Sequence, residues 1–207
     1  DNGFQFNGAT KIQATSLMGN PQNISVAAWA NLTQADKKGS EIISLGDRFG
    51  LRLDDNVNGP SEFSGAYLYD GTNTIYVAVE ETFAGTGWHF FAATFDDTNN
   101  LFNLYIDGVL AAWETVPSSI SYTGSGNTTI GRRGSSVTYD FKGVIDDVGV
   151  YDYALTGDQV AELYESGPTT QFDYDCNGNL VETIDPENRV TQYEYDNLNR
   201  LITRKDP

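Results

Sequence analysis

The chain has 207 residues, enough to bury a sizeable apolar core without disulfides or metals. Lys and Arg number 12 against 29 Asp and Glu, a formal net charge of -17, which excludes a nucleic-acid backbone or an anionic membrane surface as the main partner. Aromatics reach 13% and glycines number 21, so strand and turn formers dominate; the one cysteine, Cys176, leaves no internal disulfide or thiolate metal site, and no apolar run approaches the ~18 residues of a membrane span.

Short alternating runs punctuated by Gly, Asn and Asp predict strands at 4–6, 11–14, 24–32, 41–45, 49–53, 66–69, 74–79, 88–95, 102–106, 109–114, 128–130 and 141–151. This is the pattern of an antiparallel sandwich. Asp107-Gly108 marks a hairpin, because both central positions of a type I′ turn need positive φ. One helix is expected, at roughly 157–166. Thr156 is its N-cap with Gln159 three residues on, Leu155 and Val160 are spaced as a hydrophobic staple, and Gly167 is the stop.

After Gly167-Pro168 a repeat begins. Thr170-Gln171-Phe172-Asp173-Tyr174-Asp175 recurs as Thr191-Gln192-Tyr193-Glu194-Tyr195-Asp196, Leu180 as Leu201, and Asp185-Pro186 as Asp206-Pro207, always 21 positions apart. Each unit predicts a strand, a turn and a strand. Two such hairpins bury little by themselves, so the tail is expected to be the start of a longer array. They would extend an existing sheet edge or pair between molecules, which makes a homodimer through the repeats one expectation. With no signal peptide opening at Asp1, a trimmed, soluble fragment is expected.

The tail resembles the YD-repeat (Rhs) family of exported bacterial proteins on Tyr174-Asp175 with Gly178-Asn179-Leu180, and on Tyr195-Asp196 with Asn199-Arg200-Leu201, where Asn replaces the Gly. The larger part resembles a laminin G-like, concanavalin A-like jelly roll of the bacterial type. The residues that carry this are Phe6-Asn7-Gly8, the strand from Ile24 to Trp29, Gly87-Trp88-His89-Phe90-Phe91-Ala92, Leu104-Tyr105-Ile106-Asp107-Gly108, Thr129-Ile130-Gly131, Phe141 to Val148 and Tyr151-Asp152-Tyr153-Ala154-Leu155. The expected fold is therefore all-β. A two-sheet antiparallel jelly-roll sandwich with one short C-terminal helix fills 1–168, and two β-hairpin YD repeats fill 169–207.

That fold hosts both enzymes and binding modules, so function must come from residues. Glycoside hydrolysis needs paired carboxylates on one strand face, hence two or four residues apart. Glu80 and Glu81 are adjacent and point to opposite faces, while Glu41, Glu62 and Glu114 stand alone. The single histidine, His89, lies in a segment that matches a structural strand of the family. A non-catalytic protein is expected.

The resemblance implies a structural Ca²⁺ at Asp146, with Asp147 beside it, N-terminal donors Asn2 and Gly3, and Asp47 from a neighbouring loop. Ile145 and Val148 both look buried, which implies a bulge between them. The alternative is that these acids are solvated or bonded to backbone amides. Sugar recognition wants aromatic faces and planar polar groups. Trp29 and Trp88 match core positions of the family, whereas Trp113, at a strand end beside Glu114, is a candidate platform. Tyr67 and Tyr69 share one strand face, and Tyr139 lies in a Gly/Ser-rich loop. Arg132-Arg133 is placed to fork onto a uronate carboxylate or a sulfate, or else to pair with an acid such as Asp140.

The expectation is a carbohydrate-binding or adhesion module at the head of a YD-repeat array, secreted or on a bacterial surface. Its partners would be a polysaccharide or cell-surface glycan and the remainder of a longer repeat chain. The alternative is a structural or protein-interaction domain that caps the array.

Overall fold

Apolar side chains at every second position give each strand one greasy face, and two sheets that turn such faces together make the body of the protein. The computed structural model describes residues 3–15, 19–56, 63–124, 126–134, 136–167, 171–184 and 189–207. The strands of the body are β1 (Phe4–Asn7), β2 (Ile12–Ala14), β3 (Ile24–Leu32), β4 (Ser40–Leu45), β5 (Phe49–Asp55) and β6 (Phe63–Tyr69). They continue with β7 (Thr74–Val79), β8 (Trp88–Asp96), β9 (Leu101–Ile106), β10 (Val109–Thr115), β11 (Thr128–Ile130) and β12 (Lys142–Tyr151). Helix α1 (Gly157–Glu165) comes next, then β13 (Gln171–Tyr174), β14 (Leu180–Ile184), β15 (Val190–Tyr195) and β16 (Leu201–Lys205).

The first sheet runs β1-β12-β3-β8-β9-β10 and the second β2-β11-β4-β5-β6-β7, with antiparallel neighbours throughout. This is the all-β sandwich expected from the alternation. Between the sheets lie Val26, Ala28, Phe91, Phe95 and Leu104 from one side and Ile43, Phe49, Leu51, Ala66 and Leu68 from the other. The reverse face of the first sheet is closed by α1. Leu155 and Val160 cover Ala27, Phe90, Ala92 and Tyr105, and Trp29 stacks on Tyr164 with ring centroids 5.4 Å apart. Trp29 thus packs under the helix rather than between the sheets. The capping box forms in both directions, Thr156 N–H to Gln159 Oε1 at 2.9 Å and Gln159 N–H to Thr156 Oγ1 at 3.3 Å.

Asp107 and Gly108 hold φ of 49° and 77° between Ile106 and Val109, as a type I′ turn requires. The bulge in β12 falls between Asp146 and Gly149, with Asp147 at φ 47°. β6 begins at Phe63, three residues before the alternation in the sequence suggests, because Ser64 is drawn in by Asp54 and Glu81.

The four tail strands form a sheet of their own, in the order β13-β14-β15-β16. This corrects the expectation that the hairpins extend a sheet of the sandwich: β14 pairs with β15, Glu182 opposite Gln192 and Ile184 opposite Val190, so each hairpin is the other's neighbour. The two turns are equivalent. Asp175 Oδ1 accepts the amides of Asn177 and Asn179, both at 2.9 Å, and Asp196 Oδ1 accepts those of Leu198 at 2.9 Å and Arg200 at 3.0 Å. Asn179 Nδ2 donates to Asp175 Oδ2 and also to Asn199 Oδ1 in the next turn. The chain divides into one unit over Phe4–Glu165 and another that holds Ser166–Pro207. No helix among the described residues is long and apolar enough to cross a membrane.

Candidate functional site

On the second sheet, the positions that alternate with the core residues point away from it. β5 turns Leu51 and Leu53 inward and Gly50 and Arg52 outward, and β6 turns Ala66 and Leu68 inward and Tyr67 and Tyr69 outward. On β4 a bulge between Glu41 and Ile43 brings Glu41 level with Arg52. Large side chains here stand opposite glycines, Tyr67 opposite Gly50 and Arg52 opposite Gly65. A Cβ on Gly50 would lie 2.8 Å from the Tyr67 hydroxyl and 2.3 Å from the Ile43 carbonyl oxygen, so only glycine lets the phenol lie flat across the sheet.

The result is a buried polar cluster. Arg52, 2% exposed, donates from Nε to Glu41 at 2.8 Å and from Nη1 to Asp55 at 2.6 Å. Its guanidinium lies 4.2 Å from the Tyr139 ring centroid and 4.8 Å from that of Tyr67. The Tyr67 hydroxyl donates to Glu41, while Ser44 Oγ sits 2.9 Å from it and donates to Asp47 at 3.0 Å. Arg133 lies over the same two rings, 5.4 Å from Tyr139 and 5.7 Å from Tyr67, with Nε 3.8 Å from Asp47. Tyr76 stands across from Tyr67 on β7, half-buried, and its ring edge meets Phe63.

Burial pushes the Glu41 carboxyl up, against the pull of Arg52 and the Tyr67 hydrogen bond. It pushes the Tyr67 phenol well up, with the Glu41 charge adding to it. Burial also works against the Arg52 charge, but the neighbouring Glu41, Tyr67 and Asp55 hold that pKa above its usual value.

Four of the residues singled out in the sequence therefore meet: Tyr67, Tyr139, Arg133 and Asp47. The others do not join them. Arg132 is ion-paired with the buried Asp140, so the adjacent arginines part ways. The Tyr69 ring carries the Arg48 guanidinium at 4.5 Å, and its hydroxyl donates to the Gly71 carbonyl at 2.9 Å. Trp113 is 59% exposed on β10, at the edge of the first sheet, opposite Asn103. Glu41, Arg52 and Tyr76 gave no motif in the sequence, since they come together only across strands. The signal that could have found them is a charged residue at the centre of an apolar strand faced by interior glycines.

Asp146 and Asp147 sit at the β12 bulge, where Asp146 Oδ1 accepts the Asp147 amide at 2.9 Å. Burial and the Asp146 charge push the Asp147 carboxyl up. Two adjacent carboxylates suit a hard cation. Asp47 lies apart from them, on the second sheet and engaged by Ser44 and Arg133. Asn2 falls outside the described residues, and Gly3 leads into β1, whose Phe4 pairs with Ile145. No group of three or more His, Cys, Asp or Glu is gathered for a metal among the described residues. His89 Nδ1 lies 2.8 Å from Asp107 Oδ2, in a pair that ties the end of β8 to the β9–β10 turn.

Residues 6–161 match the family model described as the concanavalin A-like lectin/glucanases superfamily, and residues 174–207 match the RHS repeat. No curated protein matches the chain. Among solved structures, the sialidase CBM40 of Ruminococcus gnavus bound to α2,3-sialyllactose is 18% identical, with a TM-score of 0.64 over 79% of this chain and 97% of that one. Domain 4 of AbnA, an extracellular arabinanase of Geobacillus stearothermophilus in complex with arabinotriose, is 21% identical, with a TM-score of 0.60 over 77% and 75%. A heptameric SAP-like pentraxin of Limulus polyphemus is 16% identical, with a TM-score of 0.57 over 77% and 80%. At these identities the likeness is one of fold.

Proposed function

The chain belongs to the concanavalin A-like lectin/glucanases superfamily, and from that premise we propose that it is a non-catalytic glycan-binding module of an exported bacterial Rhs-repeat protein. The observation that carries this reading is the outward face of the second sheet. There, the partly exposed Arg133 and the half-buried Tyr76 combine hydrogen-bond donors with an aromatic ring, over a base formed by the buried Tyr67 and Tyr139, which is the chemistry a pyranose ring needs. Neighbours of the same fold include modules solved with sialyllactose and arabinotriose, which supports the class of ligand without naming it. A secreted or cell-surface location goes with both parts of the chain.

The test is a glycan array probed with the intact chain and with Tyr76→Ala and Trp113→Ala. Binding that falls with Tyr76→Ala and survives Trp113→Ala places the ligand on the second sheet. The opposite pattern moves it to the β10 edge, and no binding by any form sinks the proposal. One observation favours the second reading, a structural domain that caps the repeats. Glu41, Arg52 and Tyr67 are so fully buried that the cluster also serves to fix the loops above it. A silent array alongside full thermal stability would favour that reading.

Calcium is proposed as a structural ion at Asp146 and Asp147, on the adjacency of the two carboxylates at the bulge and the family resemblance. An ion that binds only the folded state at ~100 times its Kd adds about 2.7 kcal/mol. That corresponds to roughly 5–10 °C in Tm for a chain of this size. Calorimetry with millimolar Ca²⁺ against EDTA should show that gap, and equal melting temperatures would dismiss the ion.

A further inference from the structure

Two guanidinium groups face one pair of phenol rings, and both hold N–H groups without an acceptor. Arg52 engages Glu41 and Asp55 through Nε and Nη1, but its Nη2 is buried with no hydrogen-bond partner among the described residues. The Arg133 side chain makes no hydrogen bond among the described residues; its carboxylate neighbour, Asp47, is 3.8 Å from Nε, beyond hydrogen-bond range. Its side chain is 29% exposed, so a ligand can reach it. Folded proteins rarely leave a buried donor without an acceptor, and each exception calls for an explanation.

The chemistry of the missing acceptor is set by what arginine can do. A guanidinium has five donors and no acceptor, whereas a sugar hydroxyl both donates and accepts. The guanidinium N–H groups left without an acceptor are matched best by a group that only accepts. The guanidinium fork fits two oxygens of one acid group, as a sugar carboxylate presents them, and the sulfated probe below separates that group from a sulfate. Gly65, the cross-strand neighbour of Arg52, adds no side chain beside the guanidinium, and the half-buried Tyr76, whose phenol feels the Arg52 charge, borders the same group.

We infer that this face, if it binds a glycan as proposed above, recognises a carboxylate-bearing sugar, a uronic or sialic acid residue. Arg133 forks onto the carboxylate, the buried Arg52 adds its charge from behind, and the half-buried Tyr76 ring lies against the pyranose. Arg132, held by Asp140, takes no part.

The experiment is titration calorimetry of the intact 207-residue chain with trigalacturonate, an alginate trisaccharide and 3′-sialyllactose. Each is set against its carboxyl-reduced form, and a sulfated galactan oligosaccharide is added as a further arm. At least one acidic probe should bind about tenfold or more tighter than its reduced form, the scale of a charge-assisted hydrogen-bond pair. Arg133→Gln should abolish that difference at unchanged Tm, and Arg133→Lys should restore little of it because an ammonium cannot fork. Arg52 is too deeply paired to be varied safely, so Arg133 carries the test.

Equal affinity for acidic and reduced forms, or a preference that survives Arg133→Gln, overturns the carboxylate and leaves glycan binding standing. Tighter binding of the sulfated probe than of any carboxylate also overturns it. If neither these probes nor a neutral array is bound, the glycan reading itself fails and the inference falls with it.

Discussion

Arg52 shows how one side chain can hold a face of the sandwich in place. It pairs with Glu41 from the neighbouring strand and with Asp55 at the end of its own, and it lies between the rings of Tyr67 and Tyr139. Removing it would leave two carboxylates in a site closed to water. Arg52→Ala should therefore cost about 3–5 kcal/mol in urea unfolding, the usual penalty for breaking a buried ion pair on one side. Replacing Glu41, Arg52 and Asp55 together with apolar residues of similar volume should cost far less, since no charge is then left stranded. A small loss for Arg52→Ala alone would mean that water already reaches the cluster.

At the scale of elements, the two repeat turns show the same task met by different residues. Gly178 and Asn199 occupy equivalent positions and both adopt positive φ, 83° and 58°, so Asn can stand where the motif has Gly because it tolerates the left-handed region. Asn179 and Arg200 are equivalent too, and each returns its side chain to the aspartate that opens its turn. The Asn179 side chain and nearby amides hold the Asp175 carboxyl below its usual range, and Arg200 does the same for Asp196. A carboxyl lowered by folding adds stability above its unfolded pKa of about 3.9, and that stability is lost as pH falls through the folded value. Amide exchange at Gly178 and Asn199 should stay flat from neutral pH to about 4 and lose protection below it, once corrected for intrinsic rates. Asp175→Asn should remove the pH dependence at the first turn only.

Much of this level was legible in the sequence. The strands at 24–32, 74–79 and 128–130, the Asp107-Gly108 turn and the Thr156 cap all come from local chemistry: alternation, a φ requirement, a side chain returning to its own backbone. The pairing of Glu41 with Arg52, the parting of Arg132 from Arg133 and the separate tail sheet do not. Those depend on register between strands and on which loop folds over which sheet, and no short stretch of sequence carries that information.

For the whole molecule, the net charge of -17 sets the background against which any anion must bind. An acidic coat repels polyanions at a distance, and salt screens that repulsion within roughly 10 Å. Affinity for an acidic glycan cannot then come from bulk attraction. It must come from a few donors at contact range, which is why the Arg133 face matters more than the total. The first sheet offers no such face beneath α1, where Trp29, Phe90 and Tyr164 are packed together.

The bond from Asn179 Nδ2 to Asn199 Oδ1 gives the tail a polarity. The first turn hands a donor to the second, and Arg200, the counterpart of Asn179, holds Asp196 through Nε and Nη2 while 73% of its side chain remains exposed. The step runs one way, since Gly178, which takes the place of Asn199 in the first turn, has no side chain to accept a bond in return, and a stack of such steps would keep that sense. Such a stack propagates order from neighbour to neighbour like a one-dimensional lattice, so a fault in one turn weakens the adjoining step and leaves more distant ones intact.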